Sequence, residues 1–325
     1  MKGLVFKMDI LRLQPAYKDY IWGGQKLKTD FGKQTTLDIV AESWELSCHA
    51  DGESIVADGI HNGKKLSSVI KTCKEDILGS NCNHFDNFPI LIKFIDANED
   101  LSVQVHPDDD FALKNEGQYG KTEMWYVADC DEGAYLFYGV NKVVSRDEFI
   151  DRIEKGTLTE VLNKVSVKKG DSFFIQPGTI HSIGKGIVIA EIQQNSNLTY
   201  RIYDYNRHNK EGIARELHIE KALKISALSP TVNTKPKDGF LVRCKYFSVM
   251  HRQVNGEKQG FADSNSFHSL LVINGNGQIQ NNGKYIDIYK GDSIFIPAGN
   301  GDYSVEGECE ILLTCVGVSA CPLRE

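Results

Sequence analysis

The sequence predicts a mainly β protein, two barrels in succession with a few inserted helices. Three observations carry that prediction. Short strand-like stretches alternate with clusters of turn residues along most of the chain. The 29 glycines in 325 residues supply the tight turns that short-stranded folds need. A string also repeats without a gap: residues 169–181 read KGDSFFIQPGTIH and residues 290–302 read KGDSIFIPAGNGD. Self-similarity at a fixed offset marks a repeated structural unit.

The elements follow in chain order. Residues 65–78 place Leu66, Val69, Ile70 and Ile77 at helical spacing. Residues 88–95 (FPILIKFI) form a largely apolar run, suited to a strand covered on both faces. Residues 101–106 (LSVQVH) alternate, so Leu101, Val103 and Val105 share one face while Ser102, Gln104 and His106 share the other. Residues 123–128 and 134–138 read as the next strand pair, joined by turn residues 129–133. Residues 146–162 have helical spacing, with Ser145 as the cap and Glu148 as its capping-box partner. A short helix is expected at residues 219–225. Residues 229–239 (SPTVNTKPKDG), rich in turn formers, read as a linker. The expected organisation is a catalytic barrel with an N-terminal segment and helical insertions over 1–228, the linker, and a second, metal-free barrel over 240–325.

Composition narrows the function. Apolar residues at 41% and charged residues at 25% describe a soluble globular chain. A net charge of -7 with no basic run argues against nucleic acid and against an anionic membrane surface. No apolar stretch approaches the roughly 18 residues that span a bilayer, and no secretory leader is visible at residues 1–13. The eight cysteines include no C-x-x-C pair, so they read as reduced thiols of a cytoplasmic protein.

In the repeat, Gly170, Asp171, Ser172, Phe174, Ile175 and Gly178 return as Gly291, Asp292, Ser293, Phe295, Ile296 and Gly299. The G-D-x-x-x-I-x-x-G-x-x-H string of the first copy resembles the second motif of the cupins, jelly-roll barrels whose motif histidine binds a metal. That histidine is His181 here, and Asp302 stands in its place in the second copy. The resemblance implies two cupin-type jelly-roll barrels with a metal in the first. Gln104 and His106 point the same way from one strand, Glu123 begins a neighbouring strand and His181 ends the motif. Two imidazoles, a carboxylate and an amide oxygen suit zinc, and also iron, manganese, cobalt or nickel. His268, on the apolar stretch FHSLLVI of the second barrel, reads as structural or vestigial.

Longer motifs make the resemblance specific. They are YIWGG (20–24), AESWELS (41–47), LIKFIDANEDLSVQVHPDD (91–109), GKTEMWYV (120–127), PGTIHSIG (177–184) and IAEIQQNSNLTYRIYDYNR (189–207). Together these resemble the type I mannose-6-phosphate isomerases in their short bacterial form. The longer members' helical insertion is mostly absent here. The resemblance implies one zinc per chain on Gln104, His106, Glu123 and His181. It places Lys93, Lys121, Glu191 and Arg201 in the active site, and it implies a sugar phosphate as the small-molecule substrate.

Aldose–ketose isomerisation moves one proton between C2 and C1. It needs a base within roughly 3 Å of that proton, a group that carries enediolate charge, and a cation for the phosphate. Lys121 and Glu191 both qualify as the base. Arg201 suits phosphate or enediolate charge through its planar fork. Lys93 suits phosphate binding or ring opening. Two rivals use the same scaffold: a cupin oxygenase with iron on two histidines and a carboxylate, and a non-catalytic sugar-phosphate-binding protein. The cations Lys93, Lys121 and Arg201 favour the isomerase.

Overall fold

The computed structural model describes residues 8–73, 77–208 and 212–318, together with the backbone of Leu323–Arg324. Two antiparallel sheets face each other in the first half of the chain. One is six-stranded, in the order Ser172–Ile175, Glu123–Cys130, Ile187–Gln194, Ile90–Ala97, Glu42–Leu46, Ala16–Lys18. The other is five-stranded, in the order Leu162–Ser166, Tyr135–Val140, His181–Ile183, Val103–Val105, Tyr200–Tyr203. An apolar cluster joins them, with Trp125 and Ile189 from the first sheet against Leu136 and Ile183 from the second.

The six-stranded sheet is covered on both faces, which explains its near-continuous apolar sequence. Every residue of Ile90–Ala97 and of Ile187–Gln194 is buried. Even-numbered residues Ile90, Ile92, Phe94, Met124, Tyr126, Val188, Ala190 and Ile192 point outward into a core shared with Phe267, Leu271, Phe295 and Leu312 of the second half. Odd-numbered Ile95, Ala97, Trp125, Val127, Ile187 and Ile189 point inward. Strand alternation therefore sends Lys93, Glu123, Glu191 and Gln193 into the barrel interior.

The second half is one nine-stranded sheet whose long strands are Phe247–Ala262, His268–Asn281 and Gly301–Val316. Leu270, Val272, Ile279, Ile294, Ile296, Ile311 and Leu313 fill its interior. Leu11–Gln14, from the extreme N-terminal part of the chain, joins this sheet by pairing with Ser293–Ile296. The fold is thus mainly β, with the two jelly-roll barrels packed on one common core.

The repeat has a common geometry. Gly170 (φ 92°) and Gly291 (φ 96°) both sit in the left-handed region that favours glycine. Asp171 accepts from the Lys168 amide at 2.9 Å, and Asp292 accepts from the Tyr289 amide at 3.0 Å. Each turn then exchanges two backbone hydrogen bonds with one residue of an adjoining strand, Val127 in the first copy and Val272 in the second.

The helices are shorter than the sequence pattern suggests. The first is Leu66–Thr72, and residues 74–76 of the expected span lie outside the described residues. Ser145 caps Arg146–Glu154 as expected, but a left-handed Gly156 ends that helix, and Leu162–Ser166 is a strand. Ile219–Ile225 is helical as expected. The helix Asp109–Glu116, capped by Asp108, was not foreseen. Residues 229–239 contain no helix or strand; Asn233 hydrogen-bonds the backbone of Ser172 and Phe174 on the sheet edge. Cys48, Cys73, Cys82, Cys130, Cys244 and Cys309 are reduced thiols, outside any disulfide. Cys315 is disulfide-bonded, so the expectation of eight thiols does not hold. Among the described residues no helix is long and apolar enough to cross a membrane.

Candidate metal centre

Cross-strand register assembles the site from two facing rows. On the five-stranded sheet Gln104 is the register partner of His181 on one side and of Arg201 on the other. Residues directly opposite each other in an antiparallel pair share a face. These three side chains therefore lie in one row. On the six-stranded sheet Glu191 is paired with Lys93 and with Trp125, and Gln193 with Glu123.

His106, Glu123 and His181 are fully buried and bring their ligand atoms within 4.8 Å of one another. His106 Nδ1 lies 2.9 Å from the Leu198 carbonyl, and His181 Nδ1 lies 2.8 Å from the Thr179 carbonyl. A carbonyl can only accept, so each Nδ1 carries the proton and each Nε2 presents a bare lone pair. Those two Nε2 atoms face each other at 3.1 Å. Glu123 stands 3.3 Å from His181 Nε2 and 3.7 Å from His106 Nε2. Both its oxygens are buried, and Lys121 Nζ is 2.5 Å from one of them in a hydrogen-bonded ion pair. The carboxamide of Gln104 completes the ring, 3.4 Å from His181 Nε2.

This donor set fits a divalent cation. Two opposed lone pairs and a carboxylate, all buried, repel one another unless a positive charge lies among them. Bonds of about 2.05 Å in a tetrahedral site imply donor separations of about 3.3 Å, close to the three observed. The hydrogen bonds at Nδ1 are the orienting contacts that metal-binding histidines usually make. Burial, then Lys121 and the neighbouring ring, holds His106 well below the usual imidazole range. Burial likewise takes His181 down to about 3. Both rings are therefore neutral at pH 7, as ligation requires.

Beside the donors lies a chain of buried charges. Lys93 Nζ bridges Glu42 at 3.3 Å and Glu191 at 3.0 Å. Lys121 is 3.5 Å from the same Glu191 oxygen. Trp125 Nε1 donates to the other Glu191 oxygen at 2.8 Å, and Trp44 Nε1 donates to Glu42 at 2.7 Å. Burial pushes the Glu191 carboxyl up, but Lys121 and Lys93 outweigh it and hold the group ionised. Glu123 shifts the other way, raised by burial and by Glu191. Lys93 loses by burial and gains more from Glu191 and Glu42, so it stays charged.

A cavity of about 320 Å³ opens onto this cluster, within the range of small-ligand sites. Lys93, Gln104, Lys121, Glu191 and Arg201 all line it, so all eight residues singled out from the sequence meet in one place. Arg201 donates to Ser102 Oγ at 3.3 Å and to the Glu216 carbonyl at 2.9 Å. Sequence reasoning missed Glu42, Trp44 and Trp125 as partners of this cluster, although they stand in the AESWELS and GKTEMWYV motifs. It also missed Arg215 on the cavity wall, which no motif signalled. A larger cavity of about 590 Å³, bordered by Cys48, His49 and Cys82, contains none of these eight residues. In the second barrel His268 is buried and bonds Tyr303 Oη at 2.9 Å, while Asp302 is exposed.

Residues 10–134 match a family model described as phosphomannose isomerase type I, catalytic domain. Residues 237–316 match one described as mannose-6-phosphate isomerase, cupin domain. A probable mannose-6-phosphate isomerase of Bacillus subtilis is 39% identical, over 94% of this chain and 98% of the relative. A mannose-6-phosphate isomerase of the same organism is 37% identical over 94% and 98%. The crystal structure of the mannose 6-phosphate isomerase from Bacillus subtilis superposes with a TM-score of 0.86 at 35% identity, covering 94% of this chain and 99% of that one.

Proposed function

This chain belongs to the type I mannose-6-phosphate isomerases, and from that premise we propose how its residues divide the work. The protein is a metal-dependent aldose–ketose isomerase that interconverts mannose 6-phosphate and fructose 6-phosphate through an enediol. The reading assigns zinc, one ion per chain, to Gln104, His106, Glu123 and His181. When bound, the metal supplies Lewis-acid polarisation of the sugar oxygens. The observation that carries this reading is the pair of Nε2 atoms facing each other at 3.1 Å beside the buried Glu123 carboxylate.

Proton transfer falls to the Lys121–Glu191 pair, with Glu191 as the acceptor. Lys93 and Lys121 keep Glu191 ionised: they lie 3.0 Å and 3.5 Å from Oε1, while Trp125 donates to Oε2. In this reading Oε1 takes a proton at C2 and returns it at C1. Lys121 stands beside that oxygen as the cation facing enediolate charge. Lys93, expected from sequence to bind phosphate or assist ring opening, is assigned instead to holding Glu191, because two carboxylates already meet its charge. Arg201 faces the cavity from the opposite sheet and takes phosphate or enediolate charge.

A coupled isomerase assay tests this reading. Chelation removes about one divalent ion per chain and abolishes turnover, and added zinc restores it. Full turnover by rigorously metal-free protein would overturn the assignment.

A further inference from the structure

We propose that Arg215 is a substrate-positioning residue which, with Arg201, forms an arginine pair that receives the phosphate of the sugar phosphate. The proposal rests on the isomerase reading and extends it to a residue that no motif assigns. Arg215 lies in the segment before the helix Ile219–Ile225, yet its side chain lines the same cavity as Gln104, Lys121, Glu191 and Arg201.

Its guanidinium is fixed and half used. Nε donates to Asp204 Oδ2 at 2.8 Å and Nη2 donates to Asp204 Oδ1 at 2.5 Å. That bidentate contact sets the plane of the fork and occupies one edge. The Nη1 edge has no hydrogen-bond partner among the described residues. An arginine pinned along one edge loses little further freedom when the other edge takes a ligand.

Its carboxylate partner is shared. Asp204 also accepts from Arg207 Nη2 at 2.5 Å, so one carboxylate serves two guanidinium groups. Arg201 has no ion pair among the described residues; its contacts are the Ser102 hydroxyl and the Glu216 carbonyl. Glu99, 3.8 Å from Arg207, is largely exposed, and Glu216 also adds negative charge near Arg201. Among the described residues neither of these carboxylates makes an ion pair with Arg201 or Arg215. Arg201 and Arg215 lie close enough to repel: burial and then Arg215 lower the proton affinity of Arg201. A phosphate dianion, at about −1.5 to −2 charge near pH 7, relieves that repulsion. Glu191 stands on the sheet opposite Arg201, so phosphate at the arginines directs the sugar carbons toward the proton acceptor.

The alternative is a purely structural clasp, in which Arg215 does no more than hold Asp204. Full-length, metal-loaded Arg215→Ala and Arg215→Lys separate the two. For Arg215→Ala, loss of a charge-assisted contact predicts a KM for mannose 6-phosphate raised about 10- to 100-fold. The inhibition constant of inorganic phosphate should rise by a similar factor. The change in kcat should be several-fold smaller, and metal content unaltered. Arg215→Lys should fall between Ala and the parent in both constants. Phosphate binding measured by calorimetry does not depend on turnover. If the parent binds phosphate without isomerising sugar, the isomerase reading fails and the arginine pair stands. Unchanged KM and unchanged phosphate binding in Arg215→Ala would overturn the pair. If Arg215→Ala does not fold, Arg215→Lys decides: weakened phosphate binding supports the proposal, and parent-like binding refutes it.

Discussion

At the scale of single residues, the site depends on which atoms are already satisfied. His106 and His181 spend their Nδ1 protons on backbone carbonyls, so only Nε2 is left to face the interior. Glu191 has one oxygen tied to Trp125 and the other beside Lys93 and Lys121. Its assignment as proton acceptor makes a direct prediction. Glu191→Gln keeps the shape and removes the base, so kcat should fall about 10²- to 10⁴-fold. KM and metal content should change little. Exchange of the C2 proton with deuterated solvent, followed by NMR, should be lost together with turnover. Retained exchange in Glu191→Gln would move the base to Lys121. Sequence alone left these two residues tied, because both lie on inward-facing positions and only the partners on neighbouring strands distinguish them.

At the scale of elements, the repeated turn–strand–turn unit offers a control inside one molecule. Both copies share the left-handed glycine, the aspartate accepting the amide three residues back, and the paired backbone bonds to a neighbouring strand. They differ at the end of the unit, where His181 is buried among the donors and Asp302 is exposed. His181→Ala should lose metal and turnover together. Asp302→Ala should keep both, with metal per chain read by elemental analysis and turnover by the coupled assay. An Asp302→Ala protein emptied of metal would contradict the division into one working and one structural barrel. The repeat was legible because left-handed turns restrict residue type strongly. The helix Asp109–Glu116 was not, although Asp108 and Gly117 mark its ends, because Ala112 is its one buried residue and leaves little apolar periodicity.

At the scale of the whole molecule, the two barrels share one core, and the junction contains a buried ion pair. Lys33 Nζ lies 2.7 Å from Glu45, which is fully buried, and donates to the Gly291 carbonyl at the turn of the second copy. Ser43 donates to the same carboxylate at 2.6 Å. Lys33→Met leaves the carboxylate buried and unpaired, which typically costs about 3–5 kcal/mol. The stability lost should appear in urea denaturation as a lower midpoint of a single transition. Intrinsic tryptophan fluorescence reports the first barrel and far-ultraviolet dichroism reports both. Two separated transitions would mean that the barrels do not share their core in solution. The strand Leu11–Gln14 points the same way, because it precedes the first barrel's strands yet joins the second sheet beside Ser293–Ile296.

The sequence by itself determined the mainly β class, the internal repeat and the eight candidate residues, five of which line the cavity. Those features are local: strand alternation, glycine turns and short motifs are written in neighbouring residues. Tertiary structure decided what depends on distant partners. It made Leu162–Ser166 a strand through pairing with Tyr135–Val140, beyond the helix that the left-handed Gly156 ends. It placed Lys93 between Glu42 and Glu191, whose sequence separation conceals the contact. It brought Arg215 to the cavity through Asp204. Charge pairing between strands is set by register and by the approach of the two sheets, and no single stretch of sequence contains either.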